Sequence, residues 1–187
     1  HGTIGEDMEL VLRMQSYCID ARQRYHIELL PDPVCWTEPP SDLKTLGNQR
    51  IRWTQGLAES LWRHKGLVLS PSAGLLGVVA LPYFVVFELL SAPAELLGYF
   101  VIGVNVWRGE STIPGVIPFF SVTLLYGMAL NLGSVVIDQI TFKKYESVKD
   151  ILKLMAATVL EPLGFHQLHL YWRLVGIVRW LRGKQVW

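Results

Sequence analysis

The sequence has 187 residues, 51% of them hydrophobic, with 17 basic and 16 acidic side chains that leave a formal net charge of +1. That balance excludes a disordered tail and a nucleic-acid module relying on basic charge, and two cysteines are too few for a disulfide scaffold. The charges are unevenly placed. Residues 1–66 read as an ordinary soluble protein, whereas from Gly66 to Val101 the only charged groups are Glu88 and Glu95, so the chain reads as part cytosolic and part membrane.

The chain opens at His1 with no basic stretch followed by an apolar one, and it stops at Trp187 directly after basic residues. It is expected to be a segment of a longer polypeptide, without a signal peptide. Thr3-Ile4-Gly5-Glu6 has the form of a capping box, and Leu10, Met14, Tyr17, Cys18 and Ala21 follow at helical spacing, which predicts a helix from about Glu6 to Arg24. Tyr25 to Leu30 alternates like a strand and is closed by Pro31-Asp32-Pro33, with a short second strand over Val34 to Thr37. Pro39-Pro40-Ser41-Asp42 then supplies turn residues and an N-cap for a second helix over Leu43–Lys65. Helix, strands and helix together read as an α/β remnant.

Beyond Gly66 the chain is apolar nearly all round, as a helix facing lipid must be. A first span is expected within Ala73–Val104. It is longer than a hydrocarbon core about 30 Å thick needs, so it must tilt, kink or break, and Pro82 and Pro93 are the obvious places. A second span is expected over Val116–Ile137. The loop around Arg108 carries one basic residue, while Arg50, Arg52, Arg63 and Lys65 precede the first span and Lys143, Lys144, Lys149 and Lys153 follow the second. The positive-inside rule then puts the α/β part and the segment after Asp138 in the cytoplasm and the Arg108 loop outside. A third apolar segment, Ile151 to Leu170, has basic flanks on both sides and reads as an interfacial or re-entrant helix at the cytoplasmic surface. Three regions follow: 1–66 cytosolic, 67–140 transmembrane, and 141–187 cytoplasmic interfacial helices with a basic tail.

Two clusters have the composition of a site. Glu6 and Asp7 open the first helix, where the positive end of the helix dipole favours ionised carboxylates. Gln49, Arg52, Trp53 and Gly56 recur at helical spacing on the second helix, so an amide, a guanidinium and an indole share one face. Such a face suits a phosphate beside a sugar ring: Arg gives a forked donor set, Gln an orienting amide and Trp a flat platform. The same residues also suit plainer roles, Glu6 as capping-box partner, Asp7 as dipole complement, and Arg52 and Trp53 as interfacial anchors. Glu88 and Glu95 are expected to face a protein interior or a polymer path, or to stay protonated. Cys18 and Cys35 read as packing thiols, and His166 and His169 as interfacial polar residues without a third metal ligand.

Taken in order, Thr3-Ile4-Gly5-Glu6-Asp7, then Pro31-Asp32-Pro33-Val34-Cys35-Trp36-Thr37-Glu38, then Gln49-Arg50-Ile51-Arg52-Trp53 ahead of apolar spans, the chain resembles the membrane-integrated, inverting glycosyltransferases of family 2. That group includes cellulose, hyaluronan and poly-N-acetylglucosamine synthases. Glu6-Asp7 is similar to the family's acceptor-side Glu-Asp motif, and residues 49–53 match its Q-x-x-R-W motif. The resemblance implies a GT-A-type α/β domain ending in an α-helical membrane region, placed in the plasma (cell inner) membrane with its catalytic part cytoplasmic. It implies transfer from a nucleotide-sugar donor to a growing polysaccharide or lipid-linked acceptor. Asp7 would then be the base, Glu6 would orient Asp7 or the acceptor, Gln49 and Arg52 would contact the diphosphate, and Trp53 would stack on the acceptor sugar.

A divalent metal, Mg or Mn, is likewise implied, but no Asp-x-Asp pair occurs here to hold it, so the donor and metal half is expected upstream and the 187 residues alone are expected not to turn over. No Phe-x-Val-Thr loop follows the spans. Membrane lipid and envelope-synthesis subunits are the implied partners, and nucleic acid is not. The reading from another class is a non-catalytic membrane anchor or scaffold whose cytosolic cap docks a partner.

Overall fold

The structure, a computed structural model, describes residues 4–24, 35, 37–142 and 147–183, with residues 113 and 119 described by backbone only. Among these residues the chain is helical, with no strand. The expected strand Tyr25–Leu30 lies outside the described residues. So do Val34 and Trp36 of the second, while Cys35 and Thr37 have no regular structure.

Helix α1 runs Glu6–Asp20. It starts with Gly5 as N-cap and Glu6 as its first residue, so the expected capping box gives way to a later start, and no side chain caps the end. It stops short of Arg24 because Arg22 turns into the left-handed region, at φ 51°. The Gln23 N–H then bonds the Cys18 carbonyl at 2.8 Å and the Arg22 N–H bonds that of Ile19 at 3.1 Å, which satisfies the last carbonyls. Helix α2 runs Leu43–Arg63. Asp42 caps it as expected, accepting from the Thr45 N–H at 2.8 Å and the Thr45 hydroxyl at 2.7 Å.

The first apolar helix, α3, covers Leu76–Trp107 and departs from α geometry where the prolines predict. Two π-helical stretches, Leu76–Ala80 and Phe84–Leu89, flank a single α turn at Leu81–Tyr83 that contains Pro82. Because Pro82 has no N–H to donate, the ladder widens around it. A bend at Leu90 then precedes a regular stretch, Ser91–Trp107, in which Pro93 falls in the first turn, where a missing N–H costs no internal bond. Glu88 lies in the π stretch and Glu95 beyond the bend, so the helical register that would align them is interrupted.

Helix α4 runs Ile113–Phe142 with Pro118 near its start. Its Pro114–Phe142 part is, with α3, one of two helices among the described residues long and apolar enough to cross a membrane, and none of its most apolar window is buried. A core helix would be covered; this one presents apolar surface all round. The third apolar segment is two helices rather than one. Helix α5, Val148–Leu160, and helix α6, Phe165–Leu181, are separated by a tight turn at Glu161–Leu163. Pro162 in that turn and Gly164 at φ 141° explain the break.

The contacts divide the chain into two compact units, His1–Leu96 with His169–Trp187, and Leu97–Leu168. In the first, Leu12 of α1, Leu61 of α2 and Leu81 of α3 form the buried core, with Met8, Leu57, Val85 and Leu89 packed around it. Also in this unit, Arg173 of α6 donates to the Glu88 carbonyl and, at 2.7 Å, to the Ser91 hydroxyl, bridging the bend in α3. In the second unit α4 packs along α5 and against the Glu161–Leu163 turn.

Candidate functional site

The two motif clusters meet where the start of α1 crosses α2. A Cβ placed on Gly56 would lie 2.6 Å from the Gly5 Cα, and one on Gly5 would lie 2.8 Å from the Gly56 Cα, so the two backbones touch with no side chain between them. Only glycine permits so close an approach. Gly5 immediately precedes Glu6-Asp7, and Gly56 lies one helical turn beyond Trp53 on the Gln49, Arg52 and Trp53 side of α2. A second tether reinforces the crossing: the Ile4 N–H donates to the Glu59 carboxylate at 3.4 Å.

Around the crossing, Glu6, Asp7 and Arg52 are exposed, Gln49 is half-buried and Trp53 is 57% exposed. The sequence-derived site residues are therefore accessible, while Gly56, Ile51, Thr54 and Gln55 are buried. The Arg50 guanidinium lies 4.5 Å from the Trp53 ring centroid, a cation–π contact that orients the indole. Sequence reasoning passed over Arg50, although its place three residues ahead of Trp53 on the helix was legible.

It also passed over Glu9, which is 3% exposed. Its carboxylate pairs with Arg13 at 2.7 Å and lies 3.8 Å from both Arg63 and His64 at the end of α2. A buried carboxylate needs such partners. Through them Glu9 sets the orientation of α1, and so of the turn that carries Asp7. On its far side α2 packs equally tightly, Gly47 under the Trp172 indole and Gly176 against Ile51 and Thr54. A shallow depression lined by Cys18, Ile19, Arg22, Gln23 and residues 72–74 sits at the opposite end of α1 and takes no part in this crossing.

Metal ligation does not fit these side chains. Among the described residues no three His, Cys, Asp or Glu gather closely enough to hold an ion. His166 lies 3.8 Å from the Glu161 carboxylate, away from both motifs in sequence.

The start of α1, with its carboxylates, lies against α2, and two helices among the described residues are long and apolar enough to cross a membrane. The family model described as "Glycosyl transferase family group 2" matches residues 1–134, so the chain belongs to that family and is a glycosyltransferase-type chain. No curated protein and no solved structure matches it.

Proposed function

We propose that this chain forms the acceptor side of an inverting, membrane-integrated glycosyltransferase of the polysaccharide-synthase kind, working at the cytoplasmic face. The observation that carries the reading is the Gly5–Gly56 contact, which sets the backbone just ahead of Glu6-Asp7 against α2 one turn beyond Trp53. Family membership sets glycosyl transfer above the scaffold reading.

In the proposed step the acceptor hydroxyl oxygen attacks the anomeric carbon of the nucleotide sugar, opposite the leaving group. Its proton passes to the Asp7 carboxylate as the new C–O bond forms. The bond from the anomeric carbon to the diphosphate breaks, and its electron pair leaves with the nucleoside diphosphate. Arg52, a forked cation, and Gln49, an amide donor, would stabilise the charge developing on that diphosphate. Trp53, steadied by Arg50, would stack on the acceptor sugar. Glu6 would orient Asp7 or the acceptor. The Mg or Mn ion implied by the resemblance finds no donor set among the described residues, and no step here is assigned to it. The cytosolic part is taken as residues 1–66, the spans as 67–140 and the remainder as 141–187, in the plasma membrane. Envelope-synthesis subunits are proposed as its partners.

The test is transfer of labelled sugar from a panel of nucleotide sugars by the full-length polypeptide, with the upstream donor half restored, in membrane vesicles. Arg52→Ala is expected to weaken donor binding and Trp53→Ala to raise the acceptor KM with the donor KM unchanged. Equal donor affinity in wild type and Arg52→Ala would overturn the assignment.

A further inference from the structure

We propose that the depression between the end of α1 and the turn leading into α3 binds the phosphate headgroup of an anionic phospholipid, with Arg22 as its cation. The inference rests on reading α3 as a membrane span and is independent of the roles given to Asp7 and Arg52.

The position fits a headgroup. The depression has a volume of about 500 Å³ and lies between Cys18, Ile19, Arg22 and Gln23 on one side and residues 72–74 on the other. Gly74 is two residues ahead of Leu76, where α3 begins. The wall is folded onto that start: the Leu69 N–H donates to the Gly77 carbonyl at 2.9 Å, and the Leu67 and Ser70 carbonyls press on Gly77, leaving no room for a Cβ. The opening is thereby held where the first span leaves water. Beside it Leu69 and Leu75 are 70% and 80% exposed, apolar side chains placed for contact with acyl chains. Just ahead in the chain, Lys65 lies 4.4 Å over the Trp62 ring, an aromatic and a basic group of the kind that collects at headgroup level.

The chemistry fits an anion. Arg22 is the one charged side chain of the lining, and Asp20, two residues earlier, is not part of it. Among the described residues no carboxylate pairs with Arg22, so its forked donors are available to an anion from outside. Gln23 adds an amide and Ser72 a hydroxyl. The Ser72 hydroxyl lies 2.8 Å from that of Ser70, and with Ser70 as donor its own proton is left for a ligand. Ile19 and the buried Ala73 supply an apolar floor. A free phosphate ion would use the same donors but neither that floor nor the exposed leucines; a phospholipid uses all of them. Anionic lipids also characterise the cytoplasmic leaflet, the side on which the positive-inside rule puts residues 1–66. The backbone adds one point. Arg22 stands at φ 51°, a place after a helix end that glycine ordinarily takes, so the turn itself has no need of the guanidinium.

The test uses the full-length polypeptide, with the upstream half restored and Cys35 replaced by Ser, purified in detergent. Cys18 lines the depression and reports its occupancy. Its alkylation by iodoacetamide is followed by peptide mass spectrometry with phosphatidylglycerol, phosphatidylcholine or sodium phosphate added. Phosphatidylglycerol at about ten times its Kd is expected to slow alkylation about ten-fold, while phosphatidylcholine and sodium phosphate at the same concentration leave it unchanged. Arg22→Gly suits the positive φ and keeps the fold, and should weaken binding about five-fold or more with the melting temperature unchanged. Ser72→Ala, on the opposite wall, should weaken it in the same direction, and Arg24→Ala, outside the lining, should match wild type. No slowing by phosphatidylglycerol, or full protection in Arg22→Gly, overturns the site. Protection by sodium phosphate equal to that by phosphatidylglycerol overturns the lipid as occupant, and equal protection by phosphatidylcholine overturns recognition by charge. Val86→Cys in α3 checks the premise in vesicles: labelling there by a membrane-impermeant maleimide would overturn the span, and the site with it, whereas an unlabelled Val86→Cys beside unprotected Cys18 would remove the site alone.

Discussion

Gly5 and Gly56 meet backbone to backbone, where the residue preceding Glu6-Asp7 crosses α2 one turn beyond Trp53. A methyl group on Gly56 has nowhere to go, because the atoms 2.6 and 2.7 Å away belong to the Gly5 main chain rather than to a movable side chain. Gly56→Ala is therefore expected to destabilise by about 1–3 kcal/mol through overpacking and to lower transfer further by displacing Asp7. Gly66→Ala, where a Cβ meets nothing within 4 Å, is the control and should leave both quantities near wild type in thermal unfolding and transfer assays.

Gly47 and Trp172 give an independent packing test. A Cβ on Gly47 would fall 2.6 Å from the Trp172 indole nitrogen. Gly47→Ala and Trp172→Ala should each destabilise, the latter by about 3–5 kcal/mol, since the indole is 6% exposed. The double variant should lose clearly less than the two added together, because the shrunken side chain makes room for the new methyl. Additive losses in a denaturation cycle would show that the two do not compete for one space.

At Glu9 an exposed cation and a buried carboxylate of one ion pair should differ in what their removal costs. Arg13, whose side chain is 65% exposed, should tolerate Ala at a cost below about 1 kcal/mol. Glu9→Ala removes the one carboxylate that Arg13, Arg63 and His64 share, and should cost about 1–3 kcal/mol. Equal melting temperatures for the two variants would contradict the anchoring role given to Glu9.

Asp42 supplies a pH dependence with a definite sign. Its hydrogen bonds from the Thr45 N–H and hydroxyl hold its carboxyl below the ordinary value of 3.8. A folded value below the unfolded one means that the cap stabilises α2 fully above about pH 4 and loses that contribution as pH falls through the lower folded value. Amide exchange at Thr45 should accelerate as the pH drops through that window, after correction for intrinsic rates. Asp42→Asn should show no such step. The residue is solvent-exposed, so the effect is small.

What was legible in the sequence was whatever carries a local signature. Asp42 and the run after it marked the start of α2, Pro82 marked the irregular part of α3, and Glu6-Asp7 with residues 49–53 marked the candidate site. The π-helical stretches were not legible, because a segment apolar on every side has no period from which to read its pitch. The Pro162–Gly164 break was passed over because the flanking apolar residues resemble one continuous helix. Glu9 was hidden by its charge: a carboxylate two residues beyond Asp7 reads as solvated until its partners on α2 are seen. The α/β expectation rested on residues 25–37, of which only Cys35 and Thr37 are described, neither in a strand.

The role of Asp7 is the centre of the account, and it is tested by comparing single-turnover transfer and donor affinity in wild type and Asp7→Asn, with the full protein in lipid vesicles. Asn keeps the size and exposed position of the side chain but cannot take the proton. The expected result is a transfer rate lower by about 10²–10⁴, typical of a lost general base, with donor Kd unchanged. A variant that transfers sugar at the wild-type rate would contradict the assignment.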